Sequence, residues 1–253
     1  MDIGLSRNLN PQDLAWWHQR YVRQAEWTRA LRLYLYRRLE IARCKNILEI
    51  GSGTGVIAGE LAGRTDSTIY GLDSDTSALD FAQNKISDKV KPVWLAGDAE
   101  KLPFGDESVD LIVTHYFWLW ARHPDVVCNE CRRVLKKGGK LAVLAEPDYS
   151  ARQDFPGSHP SIKEFLMTDL AKKGADPDIG KKLGSIFAKV GLKTIVGSVN
   201  DKITFEQNPE LFRQEWNLLH KLGYPREALE SMEIMTDDRG MIMPVHWAIG
   251  RKM

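Results

Sequence analysis

The chain has 253 residues, 43% hydrophobic and 27% charged, with 35 Lys+Arg against 34 Asp+Glu for a formal net charge of +1. This profile fits a globular protein with a sizeable core, and it excludes a disordered, collagen-like or membrane-spanning chain. Three cysteines are too few for a disulfide scaffold, and the N-terminal MDIGLSRNLN lacks a basic stretch followed by an apolar one, so a reducing cytoplasm is the expected compartment.

Residues 10–44 read as helical, with Leu31, Leu35 and Leu39 at i, i+4 and i+8. From Asn46 to Tyr149, strand and helix signals alternate, as a parallel sheet with crossover helices requires. The expected strands are Asn46–Ile50, Ser67–Asp73, Val90–Asp98, Val109–Tyr116 and Lys140–Pro147. Helices are expected over Val56–Gly63, Ser77–Ile86 and Pro124–Leu135, and Lys136–Lys140 (KKGGK) stops the last of them. Two late strands, Leu192–Val199 and Met241–Lys252, flank a helical insertion that includes Pro209–Gly223, and Pro244 suits an edge or a bulge. The predicted fold is α/β, a Rossmann-like doubly wound seven-stranded sheet. It carries an N-terminal helical lid (1–45), a core (46–150), and a substrate cap with the last two strands (151–253), all in one domain. Helical insertions follow the fifth strand and separate the sixth from the seventh.

The strongest motif is ILEIGSGTG, Ile47–Gly55. Glycines at 51, 53 and 55 let backbone approach a ligand closely and permit positive φ. The spacing is GxGxG, whereas a dinucleotide fingerprint needs a glycine where Val56 stands, and the Gly-Lys-Ser/Thr of a nucleotide P-loop is absent. Carboxylates at successive strand ends give the loop its meaning. Asp73 is positioned to accept both hydrogen bonds of a ribose diol, and Asp98 to accept from an exocyclic amine. Glu49 is positioned to balance a cationic ligand group.

These residues resemble the class I S-adenosylmethionine-dependent methyltransferases, most closely the small-molecule, UbiE-like (type 11) branch. The resemblance runs over about Asn46–Tyr149 through ILEIGSGTG, YGLDSD, AGDAEKLPFGDESVDLIV and the strand before EPDYS. It implies S-adenosylmethionine as cofactor and S-adenosylhomocysteine as product. Gly51, Gly53 and Gly55, with Ser52, would face the methionine part, and Asp73, with Ser74, the ribose. Asp98 and Ala99 would border the adenine, and Thr114 would lie under the sulfonium. Tyr21, Gln24 and Trp27 are candidates for a lid over the cofactor.

In-line transfer from a sulfonium needs positioning and sometimes a base, and no metal ligand set is expected. His115 and Tyr116 after the fourth strand, and Glu146 and Tyr149 after the fifth, share the crevice; His115 and Tyr149 are the catalytic candidates. The motifs of nucleic-acid amino-methylating enzymes, DNA cytosine methyltransferases, protein arginine methyltransferases and metal-dependent catechol enzymes are missing, which leaves a small-molecule acceptor. The lone CNEC pair, Cys128 and Cys131, lacks further ligands for zinc and reads as two helical packing residues.

Residues 1–45 carry nine Lys/Arg and four Asp/Glu, whereas residues 46–150 carry eleven and sixteen. A basic, aromatic arm on an acidic core is expected, docked by its leucines while its arginines snorkel. Nucleic acid is therefore the disfavoured partner, and a membrane is not expected. An RNA methyltransferase using the arm, or a non-enzymatic cofactor-binding regulator, are the alternatives, with a monomer or homodimer as the assembly. Of eight Trp, Trp16, Trp17, Trp27, Trp118, Trp120 and Trp216 fall in segments expected to border the pocket, predicting an aromatic-walled acceptor site.

Overall fold

The computed structural model describes residues 11–86, 92–157, 161–234 and 239–253. Two helices, α1 (Pro11–Trp27) and α2 (Arg29–Leu39), precede the sheet. The core then runs β1 (Asn46–Ile50), α3 (Val56–Ala62), β2 (Thr68–Asp73), α4 (Thr76–Lys85), β3 (Val93–Ala96), β4 (Val109–His115), α5 (Pro124–Val134) and β5 (Leu135–Pro147). It continues through β6 (Gln153–Phe155), α6 (Ile162–Lys172), α7 (Leu183–Lys189), β7 (Leu192–Val199), β8 (Lys202–Thr204), α8 (Pro209–Lys221), α9 (Arg226–Ile234), β9 (Gly240–Ile242) and β10 (Val245–Lys252). The first two residues of the expected Val90–Asp98 strand lie outside the described residues.

Seven strands form one sheet in the order β3-β2-β1-β4-β5-β10-β7. Strands β1 to β5 pair in parallel, and β10 runs antiparallel to both β5 and β7. The chain order reverses between β1 and β4, which opens a crevice at their carboxyl ends. Burial follows from this position: Ile47, Leu48, Glu49 and Ile50 on central β1 are all buried, as a strand covered on both faces must be. One face is covered by α5 and α7 and the other by α2 and α3. In α5, Val127, Cys128, Cys131 and Val134 form the buried stripe, so both cysteines of CNEC pack as core residues.

Three details depart from the sequence reading. The expected Met241–Lys252 strand is two strands, because Pro244 has no N–H to continue a ladder; β9 pairs instead with β6 and β8 in a separate three-stranded sheet. Strand β5 begins at Leu135, with a register shift between Val109↔Leu135 and Leu111↔Lys140 that absorbs the KKGG segment. In the arm, Leu35 and Leu39 are buried as expected, but Arg20 and Arg32 do not snorkel. They are 8% and 2% exposed and paired with Glu215 and Glu60. Among the described residues no helix is long and apolar enough to cross a membrane.

Candidate functional site

The glycine loop is held from below by the neighbouring strand. Gly51 and Ser52 donate their N–H groups to the Leu72 carbonyl at 2.8 and 3.0 Å. Gly51 sits at φ 74°, and a Cβ there would lie 2.7 Å from the Phe117 ring, so both backbone shape and the close approach demand glycine. Asp73 fastens the loop: its Oδ2 accepts from Gly53 N at 2.7 Å and its Oδ1 from Asp75 N at 2.9 Å. Burial raises its pKa against the pull of those N–H groups. Gly55, at φ 82°, turns the chain into α3, and a Cβ there would be 2.5 Å from the Trp94 ring. It does not line the cavity.

Glu49 lies beneath this loop. Burial lifts its carboxyl to about 8, and Oε2 is buried without a hydrogen-bond partner among the described residues. At the end of β3, Asp98 is exposed and accepts from Glu100 N at 2.9 Å.

The end of β4 is shaped by Glu146, which is fully buried on β5. Its two oxygens accept from the backbone N–H groups of Phe117, Trp118 and Leu119 at 3.0–3.2 Å. Burial still outweighs these donors and lifts its carboxyl to about 8. The staple lets Tyr116 occupy φ 56°, a conformation that costs a bulky residue about 1–3 kcal/mol and persists only where its surroundings enforce it. Tyr116 N donates to Ala145 O at 2.9 Å, and the phenol ends with a buried hydroxyl that has no partner among the described residues. Thr114 points the other way: it is fully buried and accepts from Trp118 Nε1 at 3.0 Å.

His115 is half-buried and ties the core to the helical arm. Its Nε2 is 2.8 Å from Thr28 Oγ1. Thr28 Oγ1 also lies 3.0 Å from the Gln24 carbonyl and accepts from Arg32 Nη1 at 2.6 Å. A hydroxyl has one proton, and the Gln24 carbonyl can only accept it, so full satisfaction makes His115 the donor on Nε2. Nδ1 then carries the lone pair. Burial, reinforced by the charge of Arg32, holds the imidazole well below its ordinary pKa and therefore neutral. Arg32 itself is bound by Glu60.

These parts converge on one cavity of about 570 Å³, within the usual range for small-molecule sites. The glycine loop, Asp73 and Ser74, Asp98 and Ala99 line one end; His115 and Tyr149 line the other, and Tyr21 and Glu49 lie between. Helix α1 closes the cavity, held by a 2.9 Å contact between His18 Nδ1 and Thr54 Oγ1 and by Lys221 donating to Asp13 at 2.8 Å. Trp27 lines a small adjoining pocket of about 30 Å³ that it shares with Arg20, Tyr116 and Tyr149.

The aromatic wall is thinner than composition implies. Trp17 and Trp120 line the main cavity, whereas Trp118 and Trp216 are buried core residues and Trp16 packs under Lys221. Arg20, by contrast, was not legible as a site residue, since its partner Glu215 lies 195 positions away. Among the described residues no cluster of three or more His, Cys, Asp or Glu is arranged to hold a metal ion.

Residues 48–143 match the family described as a methyltransferase domain. Residues 48–143 form a methyltransferase core similar to that of the UbiE-like enzymes, in a class I fold. Demethylmenaquinone methyltransferase of Thermotoga maritima is 35% identical over 101 residues, 40% of this chain and 43% of that protein. Malonyl-[acyl-carrier protein] O-methyltransferase of Methylococcus capsulatus is 37% identical over 97 residues, 38% of this chain and 35% of that protein. The matches span less than half the length of these curated relatives. The fold extends further than the sequence likeness. Phosphoethanolamine N-methyltransferase 2 of Haemonchus contortus, solved with S-adenosyl-L-methionine, superposes with a TM-score of 0.62 at 16% identity, covering 91% of this chain and 56% of that one. The YcgJ protein of Bacillus subtilis gives 0.55 at 19% identity, covering 87% and 98%. The methyltransferase core accounts for β1 to β5, while the arm and the cap lie outside the matched family.

Proposed function

We propose that the chain transfers the methyl of S-adenosylmethionine to an O, N or C nucleophile of a small, partly aromatic or apolar acceptor, with residues 1–45, 46–150 and 151–253 acting as one unit. The observation that carries this reading is the single cavity onto which the glycine loop, Asp73 and Asp98 open at one end and His115 and Tyr149 at the other. The cofactor fits the residues present. The partnerless Glu49 Oε2 suits a cation, the Gly51–Gly53 backbone leaves room for a close approach, and Asp73 keeps lone pairs for a ribose diol while it fastens the loop. Gly51, Ser52 and Gly53 then serve the methionine part, Asp73 and Ser74 the ribose, Asp98 and Ala99 the adenine, and Tyr21 covers them. Gly55 and Thr114 act indirectly, by packing, and Trp27 serves the acceptor side.

When bound, the cofactor supplies a methyl already activated on a sulfonium. The protein's share is to orient the acceptor, exclude water and, where the nucleophile bears a proton, accept it. His115 is the base in this reading, through the lone pair left on Nδ1, and Tyr149 orients the acceptor. The names of the demethylmenaquinone and phosphoethanolamine enzymes point to small acceptors, which favours this class over RNA.

The test is incubation of the protein with methyl-labelled S-adenosylmethionine and, separately, the small-molecule and RNA fractions of an extract. Label is expected in a small molecule and lost in His115→Ala. Label confined to RNA, or none in either fraction, would overturn the proposal.

A further inference from the structure

Beside the cap end of the cavity lie three buried charged side chains, Arg20, Arg152 and Glu215, with a half-buried fourth, Asp154. They are not equally satisfied. Arg152 is bidentate to Asp154 at 2.8–3.1 Å and also donates to Glu215 Oε1 at 2.5 Å. Among the described residues Arg20 has only Glu215 Oε2, at 3.1 Å. Burial alone would raise the Glu215 carboxyl, but Arg152 and Arg20 pull it down to about 2, so it is committed as an anion to both guanidiniums.

Among the described residues Arg20 thus spends one of its five N–H donors, although it is only 8% exposed. It lines both the main cavity and the small pocket beside it. The same pocket wall carries the Tyr116 hydroxyl, buried and unpartnered at the tip of a residue held in a strained conformation. A desolvated guanidinium with spare donors and an orphaned phenol form a half-built anion site, because a carboxylate or phosphate accepts from both. The flanking Trp27, Tyr149, Leu211, Met241 and Met243 are apolar or aromatic.

We propose that Arg20 and the Tyr116 hydroxyl bind an anionic group of the methyl acceptor, so that the acceptor is an organic acid, a carboxylate or phosphate monoester, with an aromatic or apolar body. This deepens the methyltransferase reading and rests on it for the word acceptor; the anion site itself is tested independently.

Tryptophan fluorescence and calorimetry are used to titrate the protein, with and without S-adenosylhomocysteine, with benzoate, phenyl phosphate and the neutral benzamide. One or both acids are expected to bind at least about tenfold more tightly than benzamide, the scale of one charge-assisted hydrogen bond. Arg20→Gln combined with Glu215→Gln, which removes the charge without stranding its partner, should abolish that preference while S-adenosylhomocysteine affinity is unchanged. Tyr116→Phe, which deletes only an unpartnered hydroxyl and should fold, is expected to weaken acid binding and leave benzamide unaffected. Equal binding of benzamide, acids that ignore these substitutions, or no acid binding at all would overturn the proposal. Weakened S-adenosylhomocysteine binding in the Arg20 variant would overturn it too, since the guanidinium would then serve the cofactor's own carboxylate. Failure of S-adenosylhomocysteine to bind the unaltered protein would sink the methyltransferase reading instead, and the acid titration without it would still decide for or against the anion site.

Discussion

The two ends of the cavity bury carboxylates in opposite ways. At the glycine-loop end, Asp73 is met by backbone N–H groups 2 and 20 residues away, whereas at the cap end Glu215 is met by guanidiniums 63 and 195 residues away. The first arrangement comes with the strand-turn-helix geometry and needs no compensating charge. The second exists only when α1, the segment after β5 and α8 have come together. The glycine-loop end is therefore a property of local chain, and the cap end a property of assembly.

The largest effect expected from this contrast is on stability. Glu215→Leu strands Arg20 as a buried charge, leaves Arg152 with Asp154 alone, and is expected to cost about 3–5 kcal/mol in urea unfolding. At temperatures where that variant remains folded, S-adenosylhomocysteine binding is expected to survive. Loss of cofactor binding in the folded variant would break the separation between the two ends.

The ends should also differ in pH response. Glu49 and Glu146 each have a native pKa of about 8, above the ordinary value of 4.5. The native state therefore holds protons that the unfolded chain releases, and stability falls as pH rises from about 5 to about 8, by up to about 1.4 kcal/mol per pH unit for each group. Glu215 has the opposite sign, contributing stability fully above its ordinary pKa and losing it as pH falls toward about 2. Urea midpoints for Glu146→Gln across the neutral range are expected to lose part of the downward slope. An unchanged slope would contradict the assignment.

A smaller and more local test concerns the seam between arm and core. Nitrogen NMR of the His115 ring should report the neutral tautomer protonated at Nε2. Thr28→Val should destabilise the fold by about 1–3 kcal/mol and mix the tautomers, because it removes the acceptor for that proton. A ring protonated at Nδ1 in the unaltered protein would contradict the donor assignment and remove His115 as the base.

What was legible in the sequence follows the same division. Strand β1 lies at Asn46–Ile50 and β7 at Leu192–Val199, as periodicity implies, and the other core strands differ from expectation mainly at their ends. Tyr116 reads as a strand residue by pattern but turns out of β4, because Glu146 holds the next three N–H groups. The strands β6, β8 and β9 have three residues each, too short for an alternation signal, and exist through pairing with one another. Among the site residues, Gly51, Gly53, Asp73 and Asp98 carry local signals, since each sits where a strand ends in a turn. Thr114 shares that position yet faces the core, because Trp118 needs an acceptor for its indole N–H. Arg20 reads as one arginine of a basic arm, and nothing near it in sequence marks it as buried.

Calorimetry with S-adenosylhomocysteine tests most directly whether the glycine-loop end holds S-adenosylmethionine. One site per chain is expected, weakened at least about tenfold by Asp73→Ala, which removes both the ribose acceptor and the Gly53 fastening. Absence of binding to the unaltered protein, or equal affinity in Asp73→Ala, would contradict that assignment.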